Sequence, residues 1–208
     1  MGGIVGKVSD STQPSPQVPA PADQPSPWNL PNFLTVLRII AVPVFLWLLL
    51  KDGGDDAGWR WWALAAFLIL MATDRLDGQI ARSRNLITDF GKIADPIADK
   101  FLMIGALVGL NIIGVLPWWI TAIIVVRELG ITVWRMVLLR GGKVVPASKG
   151  GKLKTVLQTA AVALFIIPFN VVDSIEWIMY PAWIVMIAAV AVTVWTGIQY
   201  LLDSKKHN

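Results

Sequence analysis

Apolar residues fill long stretches of this 208-residue chain, at about 33–50, 59–73, 101–126, 155–172 and 177–202. Roughly 20 such residues cross the hydrocarbon of a bilayer. The third stretch exceeds one crossing, and Gly114-Val115-Leu116-Pro117 is a break that divides it into two antiparallel helices. Hydrophobic side chains make up 55% of the sequence and charged ones only 15%, a balance foreign to most soluble globules. The expectation is an all-α integral membrane protein with six transmembrane helices.

The charges orient it. Connections 51–58 and 173–176 are mostly acidic and 114–117 is uncharged. The alternate connections carry Arg75, Arg82, Arg84 and Lys92, then Arg135, Arg140, Lys143, Lys149, Lys152 and Lys154. Because basic loops stay in the cytoplasm, both termini are expected there. Trp59, Trp61, Trp62, Trp118, Trp119 and Trp177 fall at the opposite ends, as an interfacial aromatic belt would. Residues 1–27 are rich in Pro, Ser and small polar residues and read as a disordered cytoplasmic tail, with no basic and apolar signal-peptide pattern. A six-helix membrane domain is expected over 28–202 and a short cytoplasmic tail over 203–208.

No cysteine is present, and the one histidine, His207, lies at the C-terminal end. Thiolate or imidazole metal chemistry is therefore not expected, and any metal must take oxygen ligands, as Mg²⁺, Mn²⁺ or Ca²⁺ do. The net charge of +4 sits beside the apolar segments and gives no reason to expect nucleic acid as a partner.

The segment DRLDGQIARSRNLITDFGKIADPIADK, residues 74–100, concentrates the acids. Asp74, Asp77, Gly78, Ala81 and Arg82 share one helical stripe at i, i+3, i+4, i+7 and i+8. Gly91, Asp95 and Asp99 form a second stripe at i, i+4 and i+8. Asp74 should lie about 22 Å below Trp59 and Asp99 about 26 Å below Leu116, so both stripes reach the cytoplasmic edge. Converging carboxylates repel by about 4 kcal/mol per close pair at an intermediate dielectric. Arg82 can neutralise one of them, whereas two divalent cations would neutralise all four. Asp89, off both stripes, suits a cap for the third helix.

The spacing D74-x2-D77-G78-x2-A81-R82-x8-G91-x3-D95-x3-D99 resembles the full signature of the CDP-alcohol phosphotransferases. LPNFLTVLR at 30–38, VVRELGITVWR at 125–135 and PASKGGKLKT at 146–155 are similar to one branch, the phosphatidylglycerophosphate synthases. The resemblance spans about 28–202 and implies that family's six-helix bundle. It implies transfer of a phosphatidyl group from CDP-diacylglycerol to glycerol 3-phosphate with release of CMP. It also implies two divalent cations, Mg²⁺ or Mn²⁺, on Asp74, Asp77, Asp95 and Asp99, with Asp99 as the base, and a homodimer in the plasma membrane with its site facing the cytoplasm. Gly78, Ala81, Arg82 and Thr88 would contact the CDP-lipid. Asn32, Thr35 and Arg38, a polar edge on the first helix, would join them or anchor that helix among headgroups.

Arg127, Arg135, Lys149, Lys152 and Lys154 are the candidate cations for the acceptor phosphate, although Lys152 and Lys154 equally suit lipid headgroups. Arg127 is deep enough to need a partner, and Glu128, about 100° away around the helix, is expected to pair elsewhere. Inositol phosphate or serine as acceptor, an intramembrane prenyltransferase and a cation transporter are the competing readings.

Overall fold

The computed structural model describes residues 29–83, 89–140 and 150–206, with side chains described except at 31, 75, 77, 78, 80–83, 89–96, 139, 140, 205 and 206. The expected tail over 1–27 and His207 lie outside the described residues. Six α-helices and no strand are present among those described: α1 (Leu30–Leu50), α2 (Ala57–Ser83), α3 (Asp89–Ile112), α4 (Trp118–Arg140), α5 (Gly150–Ile166) and α6 (Met179–Lys206). Short 3-10 turns at Lys51–Gly54 and Asp173–Ile178 precede α2 and α6.

Local chemistry sets the helix ends. The Asn29 side chain accepts from the Asn32 amide at 3.0 Å and caps α1. Asp56 does the same for α2 by accepting from the Trp59 amide at 2.9 Å. Between them the chain reverses through Asp52, Gly53 and Gly54, all at positive φ. Gly54 has a second constraint, because a Cβ there would lie 2.8 Å from Ile113 Cγ2. The break expected at 114–117 falls between α3 and α4, where Gly114 adopts φ 75° and the Asn111 amide donates to the Leu116 carbonyl at 2.7 Å.

The apolar faces meet in one core. Val42, Phe45 and Leu49 of α1 pack with Phe67 of α2 and with Leu102, Ala106 and Leu110 of α3. Ile120 and Ile124 of α4, Phe165 of α5, and Ala182, Met186 and Ala189 of α6 complete it. These residues recur at helical spacing, three or four apart. Gly109 lets α3 approach α1, since a Cβ there would meet Leu49 Cδ2 at 2.7 Å. Outside, Ile40, Ile69, Val126 and Ile184 are each more than 60% exposed, an exterior suited to lipid rather than water. Two segments, Asn32–Gly54 and Asp173–Ser204, are long and apolar enough to cross a membrane.

The apolar stretch at 155–172 is not one helix. α5 ends at Ile166, and Pro168, which has no N–H and cannot continue a helix, leads into a turn. The exposed carbonyls at this end are met by Arg60 from α2, a fully buried side chain. Its guanidinium donates to the carbonyls of Phe165 at 2.7 Å, Ile166 at 3.0 Å and Ile167 at 2.9 Å, and to Asn170 Oδ1 at 2.6 Å. A cation at a helix C-terminus also opposes the negative end of its dipole. Replacing Arg60 by Ala should destabilise the bundle by about 2–4 kcal/mol, seen as a lower thermal midpoint of the detergent-solubilised protein. An unchanged midpoint would contradict this capping role.

Candidate active site

Two clusters of charge form where the apolar parts of the helices end. In the first, Arg38 of α1 and Asp74 of α2 form an ion pair of 2.8 Å. The Arg38 side chain is 1% exposed and that of Asp74 29%. Thr35 and Asn32, about one and two turns before Arg38, are buried as well, so the polar edge of α1 packs inward rather than lying on the surface. The ion pair accounts for an arginine in an apolar run, because an unpaired guanidinium there would be costly.

Asp77, Gly78, Ala81 and Arg82 continue α2, and Asp95 lies on α3 one turn before Asp99. The unbroken helices preserve both stripes, but these five side chains lie outside the described residues, as do Thr88 and Lys149. The side chain of Asp89, the first residue of α3, does so too. Of the four aspartates, Asp74 and Asp99 are therefore described. The donor set is made of carboxylates alone, which suits hard divalent cations. Among the described residues no three acidic, histidine or cysteine side chains gather as a metal group.

The second cluster is a cavity of about 290 Å³ between α3, α4, α5 and α6. Asp99 opens onto it beside Arg127, Arg135 and Lys154, three of the five cations expected for an acceptor. Lys152 is exposed and does not line it. Lys100, Glu128, Thr132 and Tyr200 also line the cavity, and none of them was among the expected site residues. Lys100 and Thr132 carried a usable signal: Lys100 follows Asp99, and Thr132 stands one turn after Glu128. Tyr200 comes from α6, and no local spacing links it to the rest.

Arg127 reaches across to α6, donating to the Thr193 carbonyl at 3.2 Å and to Thr196 Oγ1 at 3.0 Å. Gln158 of α5 donates to Thr193 Oγ1 at 2.9 Å and braces the same turn. Glu128 pairs elsewhere as expected, with Lys154, but it also meets Arg127. Its Oε1 accepts from Arg127 at 3.2 Å and from Lys154 at 2.5 Å, because the long arginine side chain bends back across the angle between their Cβ atoms. Lys100 donates to Thr132 Oγ1 at 2.5 Å, and Arg135 lies 5.5 Å over the Tyr200 ring.

Asp99 and Lys154 precede the apolar runs of their helices, and burial acts on both. It pushes the Asp99 carboxyl up to about 6, helped by the neighbouring Asp74 charge and opposed by Arg38 and Lys154. Burial also pulls Lys154 below the ordinary lysine range, with the Glu128 charge opposing it. Asp99 thus stands between the Arg38–Asp74 pair and the basic cavity.

Residues 28–195 match the family described as CDP-alcohol phosphatidyltransferase. A Mycobacterium tuberculosis protein named "Probable phosphatidylglycerophosphate synthase" is 47% identical over 173 residues, 83% of this chain and 80% of the relative. The Bacillus subtilis "CDP-diacylglycerol--glycerol-3-phosphate 3-phosphatidyltransferase" is 38% identical over 70% of this chain and 82% of its own length. An Escherichia coli K12 protein of that same name is 33% identical, with 84% and 93% covered. A match over most of the sequence leaves no room for the prenyltransferase and transporter alternatives: the chain belongs to the CDP-alcohol phosphatidyltransferase family.

Proposed function

We propose that the chain transfers the phosphatidyl group of CDP-diacylglycerol to glycerol 3-phosphate, forming phosphatidylglycerophosphate and CMP. The observation that carries this reading is the shared cavity. A carboxylate able to take a proton, Asp99, opens onto the same space as Arg127, Arg135 and Lys154, which suit a phosphate monoester. Serine carries no phosphate to match those cations. Inositol phosphate would match them, and the names of the relatives favour glycerol 3-phosphate.

On this reading Asp99 takes the proton of the attacking hydroxyl while that oxygen bonds to the phosphatidyl phosphorus. The phosphorus–oxygen bond of the diphosphate breaks, and CMP departs. Asp74, Asp77, Asp95 and Asp99 would hold two divalent cations, Mg²⁺ or Mn²⁺, which neutralise the diphosphate and keep Asp99 ionised. Arg38 fixes Asp74 from behind. Asn32 and Thr35 form the donor side of the site with Gly78, Ala81, Arg82 and Thr88, while Lys149 and Lys152 extend the basic surface from which an anionic acceptor enters. All six helices cross the plasma membrane, both termini lie in the cytoplasm with the site, and the chain acts as a homodimer. The apolar exterior and the alternation of basic and acidic connections support that topology.

These roles are open to three tests. Asp99→Asn should lower CMP release roughly 10²- to 10⁴-fold while calorimetry still detects CMP binding; near-normal turnover would remove Asp99 as the base. Chelation with EDTA should stop the unaltered enzyme, and Mg²⁺ or Mn²⁺ should restore it. Lys154→Gln should raise the KM for glycerol 3-phosphate about tenfold or more, whereas Lys152→Gln should change it by about twofold or less. Equal effects of the two lysine changes would assign both to general membrane attraction.

A further inference from the structure

The cations of the cavity are not equivalent. Lys154 and Arg127 both spend their charge on Glu128 Oε1. Arg135 has no acidic partner among the described residues and is held instead against the Tyr200 ring. Lys100 is bonded to a neutral hydroxyl, that of Thr132. Glu128, Thr132 and Arg135 follow one another along one face of α4, and Glu128 and Arg135 are about 10 Å apart along its axis. The cavity is thus polarised: Arg135 carries its least compensated positive charge, Lys100 lies within the fields of Glu128 and Asp99, and the carboxylate of Glu128 marks the other end.

Glu128 has unused capacity at that end. A carboxylate offers about four lone-pair sites, and both recorded side-chain bonds use Oε1. Its Oε2 has no protein partner among the described residues, although the side chain lines the cavity. The Glu128 side chain keeps 17% of its surface exposed and lines the cavity, which leaves room for a ligand beside it. A phosphate would be repelled there, whereas a neutral hydroxyl would be welcome.

We propose that Glu128 is a specificity-determining residue that selects a polyol phosphate: Oε2 accepts a hydrogen bond from the hydroxyl next to the reacting one, while Arg135 and Lys100 hold the phosphate. Resting on the acceptor reading above, this assigns the middle hydroxyl of glycerol 3-phosphate to Glu128 and the terminal hydroxyl to Asp99. Lys154 and Arg127 then orient Glu128, and their charge in the same cavity adds to the attraction for the phosphate.

The test compares two acceptors, glycerol 3-phosphate and 3-hydroxypropyl phosphate, which differ only in the middle hydroxyl. CMP release by the purified full chain with CDP-diacylglycerol and Mg²⁺ gives kcat/KM for each. The native enzyme should prefer glycerol 3-phosphate roughly ten- to hundredfold. Glu128→Ala should erase most of that preference. The double variant Glu128→Leu with Lys154→Met removes both ends of the closer ion pair, leaves Arg127 held by the Thr193 carbonyl and Thr196 Oγ1, and tests the same ratio if the single variant does not fold. An unchanged ratio in a variant, with both acceptors slowed alike, would overturn the proposal and leave Glu128 as a support for Lys154 and Arg127. A native enzyme indifferent to the middle hydroxyl would overturn it too. A native enzyme that uses neither acceptor would instead overturn the acceptor reading on which it rests.

Discussion

One carboxylate oxygen joins three helices of this bundle. Glu128 Oε1 on α4 meets Lys154 from α5 and Arg127, whose guanidinium continues to the backbone and side chains of α6. In an apolar bundle a charge must be matched locally, and breaking a buried pair costs roughly 3–5 kcal/mol. The contact therefore fixes how α4, α5 and α6 close around the cavity that Asp99 opens onto. Gly197 takes part by its size, because a Cβ there would press on Arg127 Cγ at 3.2 Å.

The same constraint operates at the other charged clusters. Arg38 and Asp74 join α1 to α2 where the aspartate stripe of α2 begins. Arg60 joins α2 to the carbonyl end of α5 at the opposite end of α2. Between these polar anchors the contacts are apolar and close, as where Gly109 of α3 lies against Leu49 of α1. The rigid core thus carries the aspartate stripes, while paired charges set the angles at which the helix ends meet.

Much of this was legible in the sequence because helical spacing is local. The stripes through Asp74 and Asp99, the turn at Gly114 and the six helices all follow from residues within one or two turns of each other. Long-range pairing was not legible. Nothing near Lys152 and Lys154 separates them, yet the helix turns Lys154 inward to Glu128 and Lys152 outward. The pairing of Glu128 away from its own helix holds, with Lys154, but Cβ direction alone ignores the reach of an arginine and so hides the added Arg127 contact. The end of α5 was marked by Pro168, but an unbroken apolar run concealed it. Arg60 offered the plainest missed signal, an arginine inside an apolar stretch that had to find acceptors elsewhere in the fold.

The most direct measurement is CMP release by the purified protein given CDP-diacylglycerol and Mg²⁺ or Mn²⁺, with glycerol 3-phosphate, inositol 1-phosphate, serine or no acceptor. A cavity that couples Asp99 to a polarised set of cations predicts release with glycerol 3-phosphate and little with the others. Release with serine or inositol 1-phosphate in its place, or at the same rate without any acceptor, would contradict the account.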